Sequence, residues 1–149
     1  ERQVLTWAIW WHDAVYDPQA KDNEARSADM ARRDLRELDA SIHAREEVAR
    51  LILLTAGHTV EEEDRLGELM VSIDLAVLGA PAPDYDQYAR DVRAEYAHIP
   101  DEAWRLGRTA VLERFLAAER IFPDQGFHDS FELQARGNLQ RELQALVQG

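Results

Sequence analysis

The chain has 149 residues, a formal net charge of −12 and no cysteine. That length suits one domain with a core of its own, and the absence of thiols excludes disulfides and thiolate metal sites. A surface this acidic repels nucleic-acid backbones and anionic membranes, and no apolar run approaches the roughly 20 residues of a membrane span, so neither partner is expected and a cytoplasmic location suits the composition.

Apolar residues recur at helical spacing nearly throughout, and no alternating strand pattern competes with them. The first helix runs from before Val4 to about Asp13, with Val4, Trp7, Ala8 and Trp11 on one stripe. The helical pattern is already under way at Glu1, so an earlier helix of the full protein is expected to precede it. Asp17-Pro18 marks a loop, because the residue before proline is pushed out of helical geometry. Asn23 is placed to cap a second helix, with Glu24 in its first turn and Ala28, Ala31, Leu35 and Leu38 on its apolar side. Ser41 caps a third, which carries Val48, Leu51, Ile52 and Thr55 and stops at Gly57.

A fourth helix spans about Glu61 to Leu78, with Leu66, Leu69, Met70, Ile73 and Val77 facing inward, before Gly79, Pro81 and Pro83 end it. Asp84 with Gln87 reads as a capping box for a fifth helix bearing Tyr85, Tyr88, Val92 and Tyr96. Asp101 starts a sixth, with Trp104, Val111, Leu112, Phe115 and Leu116. Asp129 with Glu132 opens a last one through Leu133, Leu139, Leu143 and Leu146. The expected architecture is all-α, a single compact domain over residues 1–149 with about seven helices.

Three places put polar groups against apolar faces. His12 and Asp13 end the most apolar helix, directly after Trp10 and Trp11. Asp74 lies four residues after Met70 and three before Val77, so it shares their inward face. His58 follows the expected stop at Gly57. A buried carboxylate must be neutralised, paired or bound to a metal. Each residue alone has an ordinary explanation: a helix cap, an arginine partner, a loop histidine. Together, His12, Asp13, His58 and Asp74 form a nitrogen and carboxylate set suited to a divalent cation such as Mn, Fe, Co, Ni or Zn.

These residues resemble the HD superfamily of metal-dependent phosphohydrolases. That superfamily is all-α and is defined by a histidine, a His-Asp pair and a later aspartate that bind divalent metal. His12-Asp13 matches the pair and Asp74 the later aspartate. More narrowly, the chain resembles a bacterial group of predicted metal-dependent HD phosphohydrolases. The matching stretches are Trp10 to Asp17, Asp22 to Ala28, Ile73 to Gly79, Val92 to Tyr96, Gly107-Arg108 with Val111-Leu112, and Ala135 to Leu139. The first histidine of the superfamily would precede residue 1, since His43, His98 and His128 come in the wrong order.

The resemblance implies hydrolysis of a small phosphorylated metabolite or nucleotide. It implies a divalent metal ion, Mg included, held by His12, Asp13 and Asp74 with the upstream histidine. His58 would bind a second metal or contact the phosphate. Asp17 or Glu24 would steer water or protonate the leaving oxygen, although Asp17 also reads as a turn residue before Pro18. Arg26 and Arg93 are candidates to bind substrate phosphate. Arg93, Arg108 and Arg136 can equally be halves of structural ion pairs. Two other functions fit the same residues: a di-iron oxygenase of the HD type, and a non-catalytic helical binding module that keeps the fold. A homodimer is left open.

Overall fold

A computed structural model describes residues 1–148. They form seven α-helices and one 3-10 helix, with no strand among the described residues. The chain is all-α, and it divides into two compact units, Glu1–Asp74 and Leu75–Gly149. No single described helix is long and apolar enough to cross a membrane.

The first unit holds α1 (Arg2–Trp11), α2 (Asn23–Glu37), α3 (Ile42–Leu54) and α4 (Arg65–Asp74). Helix α3 packs against the other three. Ala8, Ala28, Ala31 and Ala49 are fully buried beside Leu35, Val48, Leu51, Ile52 and Met70. Four alanines in one core let the helix backbones approach closely, while each buried Leu or Ile contributes about 1.5–3 kcal/mol. Val4, Trp7 and Trp11 pack onto this cluster, as the α1 stripe requires, while Trp10 on the far side is 77% exposed.

Helix starts follow the sequence less closely. Ser41 caps α3 as expected, its Oγ accepting from the Ala44 amide at 3.2 Å. Asn23 does not cap α2: Asp22 holds that position, and the Asn23 side chain bonds Asp17 instead. Helix α3 ends at Leu54, and the left-handed residue beyond it is His58, at φ 55°, not Gly57.

The second unit holds a 3-10 helix (Leu75–Gly79), α5 (Ala82–Glu95), α6 (Asp101–Ala117) and α7 (Gln125–Gln148). Helix α7 packs against the other three. The 3-10 winding corrects the stripe expected through Val77. At three residues per turn the phase shifts, so Leu75 and Leu78 are buried and Val77 is exposed. Asp84 and Gln87 form no box, because Pro81 caps α5 and Gln87 pairs along the helix with Arg90 and Asp91. Helix α7 starts ahead of Asp129, with Asp124 accepting from the Phe127 amide at 3.0 Å.

Glu132 serves a different end. Its buried carboxylate accepts the amides of Ile121 and Phe122, and Arg136 bridges it to the carbonyls of Leu116 and Ala118. Buried Asn138 donates to the carbonyls of Leu78 and Ala80. Both side chains satisfy backbone groups that the turns around α7 would otherwise leave unpaired.

Candidate functional site

His12, Asp13, His58 and Asp74 all lie in the first unit, and the fold brings them together. Helix α1 ends at Trp11, and His12 stays in helical geometry as its C-cap, its amide donating to the Ala8 carbonyl. Helix α4 presents Asp74 from its last position. The turn beyond α3 presents His58, whose amide donates to the Leu54 carbonyl at 2.8 Å. A non-glycine residue at positive φ carries backbone strain of about 1 kcal/mol, and such strain concentrates at functional sites.

Asp74 is the hub. Its Oδ2 accepts from His58 Nε2 at 2.9 Å, and its Oδ1 lies 3.2 Å from His12 Nε2. The Oδ2 of Asp13 lies 3.3 Å from the same His12 nitrogen. The side chains of His12, His58 and Asp74 are each about one-fifth exposed, whereas that of Asp13 is 74% exposed. Asp13 therefore corrects the expectation of burial at the end of α1: only the histidine is drawn in, and its neighbour faces solvent.

The electrostatics follow from this geometry. The hydrogen bond that His12 donates to Asp74 is the main influence raising the His12 pKa to about 9. Burial opposes it, and the Ile9 carbonyl and the Asp13 charge assist. Burial pushes the Asp74 carboxyl up, but the two imidazoles overcome this and hold it below the usual carboxylate value. Both shifts describe one thing, a carboxylate between two imidazole N–H groups.

The donor set fits a divalent cation in kind: two imidazoles, two carboxylates and no thiolate. One detail favours His12 Nε2 as a ligand atom. Its Nδ1 lies 2.8 Å from the Ile9 carbonyl, the second contact that fixes the tautomer and ring orientation of a metal-binding histidine. In arrangement the side chains close on one another, and among the described residues no three His, Asp or Glu groups stand ready around an ion. A cation entering here would replace the proton between His12 and Asp74.

The other expected residues are placed as follows. Asp17 is exposed, and its Oδ1 accepts the Gln19 amide at 2.9 Å, so it serves the turn at Pro18. Glu24 and Arg26 lie in the first turn of α2, half-buried and exposed respectively. Arg93 lies in the second unit, where its guanidinium donates to the carbonyls of Tyr96 and Ile99 and pairs with Asp101. Arg108 and Arg136 are likewise halves of ion pairs, with Glu142 and Glu132. His43 is exposed on α3, and His98 and His128 lie in the second unit. A groove of about 400 Å³ along α7, lined by Asp129, Leu133, Gly137 and Arg141 among others, shares no residue with the cluster.

Sequence reasoning missed Ser27, which is fully buried and bonds both backbone groups of Val15. The available signal was its spacing of four from Asn23, which puts both on one face of α2. No protein-family model, curated protein or solved structure matches the chain.

Proposed function

We propose that the chain is a metal-dependent phosphohydrolase acting on a small phosphorylated metabolite or nucleotide. The observation that carries this reading is the convergence of His12 and His58 on the two oxygens of Asp74, with Asp13 beside them. His12 is 62 positions and His58 16 positions from Asp74, so the chain must fold back for them to meet, and their types are those the HD resemblance assigns to a metal site.

His12 Nε2, Asp13 and Asp74 would hold the ion, and the resemblance adds one upstream histidine. A bound divalent cation supplies a more acidic water and neutralises charge developing on a phosphoryl group. The remaining work falls to the chain. The Ile9 carbonyl fixes the tautomer of His12. His58 orients the Asp74 carboxylate and is close enough to pass a proton at its Nε2. Arg26, exposed on α2, brings positive charge from the same unit, and Glu24 is the better remaining general acid or base because Asp17 is committed to its turn.

The test is elemental analysis of protein purified with Mn, Co, Ni, Zn and Mg supplied, followed by phosphate release from a panel of phosphomonoesters and nucleotides. The expected result is a stoichiometric ion and at least one hydrolysed substrate, both lost in Asp74→Ala. Unchanged metal content and activity in Asp74→Ala would sink the proposal. The closed hydrogen bonding of the cluster favours a second reading, a helical binding module that keeps the arrangement without the ion. That reading expects no metal under any supply, and function that survives Asp74→Asn.

A further inference from the structure

The segment that follows His12 and Asp13 has no regular structure of its own, yet two side chains of α2 hold it by its backbone. Ser27 Oγ accepts the Val15 amide at 3.0 Å and donates to the Val15 carbonyl at 3.3 Å. One helical turn earlier, Asn23 Oδ1 accepts the Asp17 amide at 3.1 Å, and Asn23 Nδ2 donates to the Asp17 carbonyl at 2.9 Å. Residues 15 and 17 are alternate positions of this irregular segment. Side chains at 23 and 27 thus meet both backbone groups of each, as a neighbouring strand would.

The turn beyond is closed too, with the Ala20 amide donating to the Asp17 carbonyl at 3.0 Å. Upstream, the amides of His12 and Ala14 donate to the carbonyls of Ala8 and Trp11. Asp13 therefore sits on a backbone fixed on both sides: by α1 before it and by Ser27 two residues after it. Its side chain is the most exposed of the four and reaches His12 Nε2 at 3.3 Å. The main chain from which it projects is held by α1 and α2.

We infer that Ser27 and Asn23 are positioning residues of the His12, Asp13 and Asp74 cluster, holding the backbone that places Asp13 to bind a cation. The inference rests on the proposed metal site. Ser27 is the stronger of the two, because its hydroxyl is fully buried and its loss leaves both polar groups of Val15 without a partner.

The test is a titration of the chain with Co²⁺ alone, read by calorimetry and by the visible spectrum of the bound ion, which reports its coordination. Variants are Ser27→Ala, Asn23→Ala, Asn23→Asp, and Ile52→Val as a core change that weakens the same unit without touching the loop. Outer contacts of this kind alter metal affinity by about 10–100-fold. Ser27→Ala should weaken Co²⁺ binding by about 10-fold or more and change the spectrum. Asn23→Asp, which keeps the acceptor for the Asp17 amide, should fall between wild type and Asn23→Ala. Ile52→Val should lower the melting temperature and leave affinity and spectrum unchanged.

Wild type that binds Co²⁺ with Ser27→Ala equal to it in affinity and spectrum overturns the positioning role and leaves the metal site standing. Affinity lost in Ile52→Val as much as in Ser27→Ala also overturns it, since stability alone would then account for the effect. Wild type that binds no Co²⁺ overturns the metal site, and the inference with it.

Discussion

His58 offers the sharpest test of the site, because its backbone and its ring make separable contributions. At φ 55° the residue occupies the left-handed region, where any side chain with a Cβ is disfavoured by about 1 kcal/mol relative to glycine. Its ring donates to Asp74 at 2.9 Å. A hydrogen bond to a charged group is worth about 1.5–3 kcal/mol, which the partial exposure of both side chains reduces to about 1–2 kcal/mol. His58→Ala removes the bond and keeps the strain, so it should destabilise by about 1–2 kcal/mol. His58→Gly removes the same bond and relieves the strain, so it should destabilise by only about 0–1 kcal/mol.

The order, glycine more stable than alanine, reverses the usual one. Urea unfolding of metal-free protein measures it through the fluorescence of Trp7, Trp10 and Trp11, all in the first unit. With a slope near 2 kcal/mol per molar, the two midpoints should differ by about 0.5 M. Both variants should lose metal affinity alike, since both free Asp74 from its second imidazole. Alanine equal to or above glycine in stability would refute the claim that strain is held at this residue, and unchanged metal affinity in both would refute the role given to its ring.

In the second unit, Arg108 and Glu142 are about one-tenth exposed and paired, with the Tyr85 hydroxyl donating to the same carboxylate. Arg108→Ala should destabilise by about 3 kcal/mol by leaving Glu142 buried without its cation, and Arg108→Met with Glu142→Leu should recover much of that in thermal melts. Gly79→Ala places a Cβ 2.7 Å from the Phe131 Cβ and 3.2 Å from its carbonyl oxygen, so it should destabilise by about 1–3 kcal/mol, again read as a melting temperature. Burial pushes the Glu132 carboxyl up, but the amides of Ile121 and Phe122 with Arg136 overcome this and hold its pKa below the ordinary 4.5. Its contribution to stability is therefore complete above that value and lost as pH falls through the lower folded one. An acid titration of Glu132→Gln followed by circular dichroism should lack the part of the acid transition that this carboxylate supplies.

The helices were legible because each carries an apolar stripe, and Asp74 was legible because it interrupts one. Where helices begin was less so. Asp, Asn and Glu that read as caps have several backbone amides within reach, and spacing alone does not choose among them. Asn23 bonds back to Asp17 when it could have capped α2, and Glu132 reaches Ile121 and Phe122 when it could have closed a box with Asp129. The winding change at Leu75 was hidden for another reason: Leu, Ala and Val sit equally well in α and 3-10 turns, so Val77 read as buried. Arg93 shows the limit for charged residues. Its partners include two main-chain carbonyls, which no pattern of side chains announces.

The closed form of the cluster bears on how a site of this composition could fold before an ion arrives. Asp13 and Asp74 both carry negative charge toward the same histidine, in a chain whose net charge is already −12. Two carboxylates meeting at one imidazole repel each other unless something positive lies between them. His12 Nε2 lies there, 3.3 Å from one and 3.2 Å from the other. Its raised pKa means that it carries a proton at neutral pH, and its Nδ1 has the Ile9 carbonyl as acceptor, so both N–H groups of the imidazolium are satisfied. That proton offsets one of the two negative charges, from the position a cation would take at Nε2. Under the proposed function, metal binding is then an exchange of that single positive charge for a doubly charged ion on a scaffold already in place. The ion must compete with protons, as it does for any imidazole ligand. His58 stays with Asp74 through that exchange, so the carboxylate keeps one imidazole partner whichever charge His12 faces.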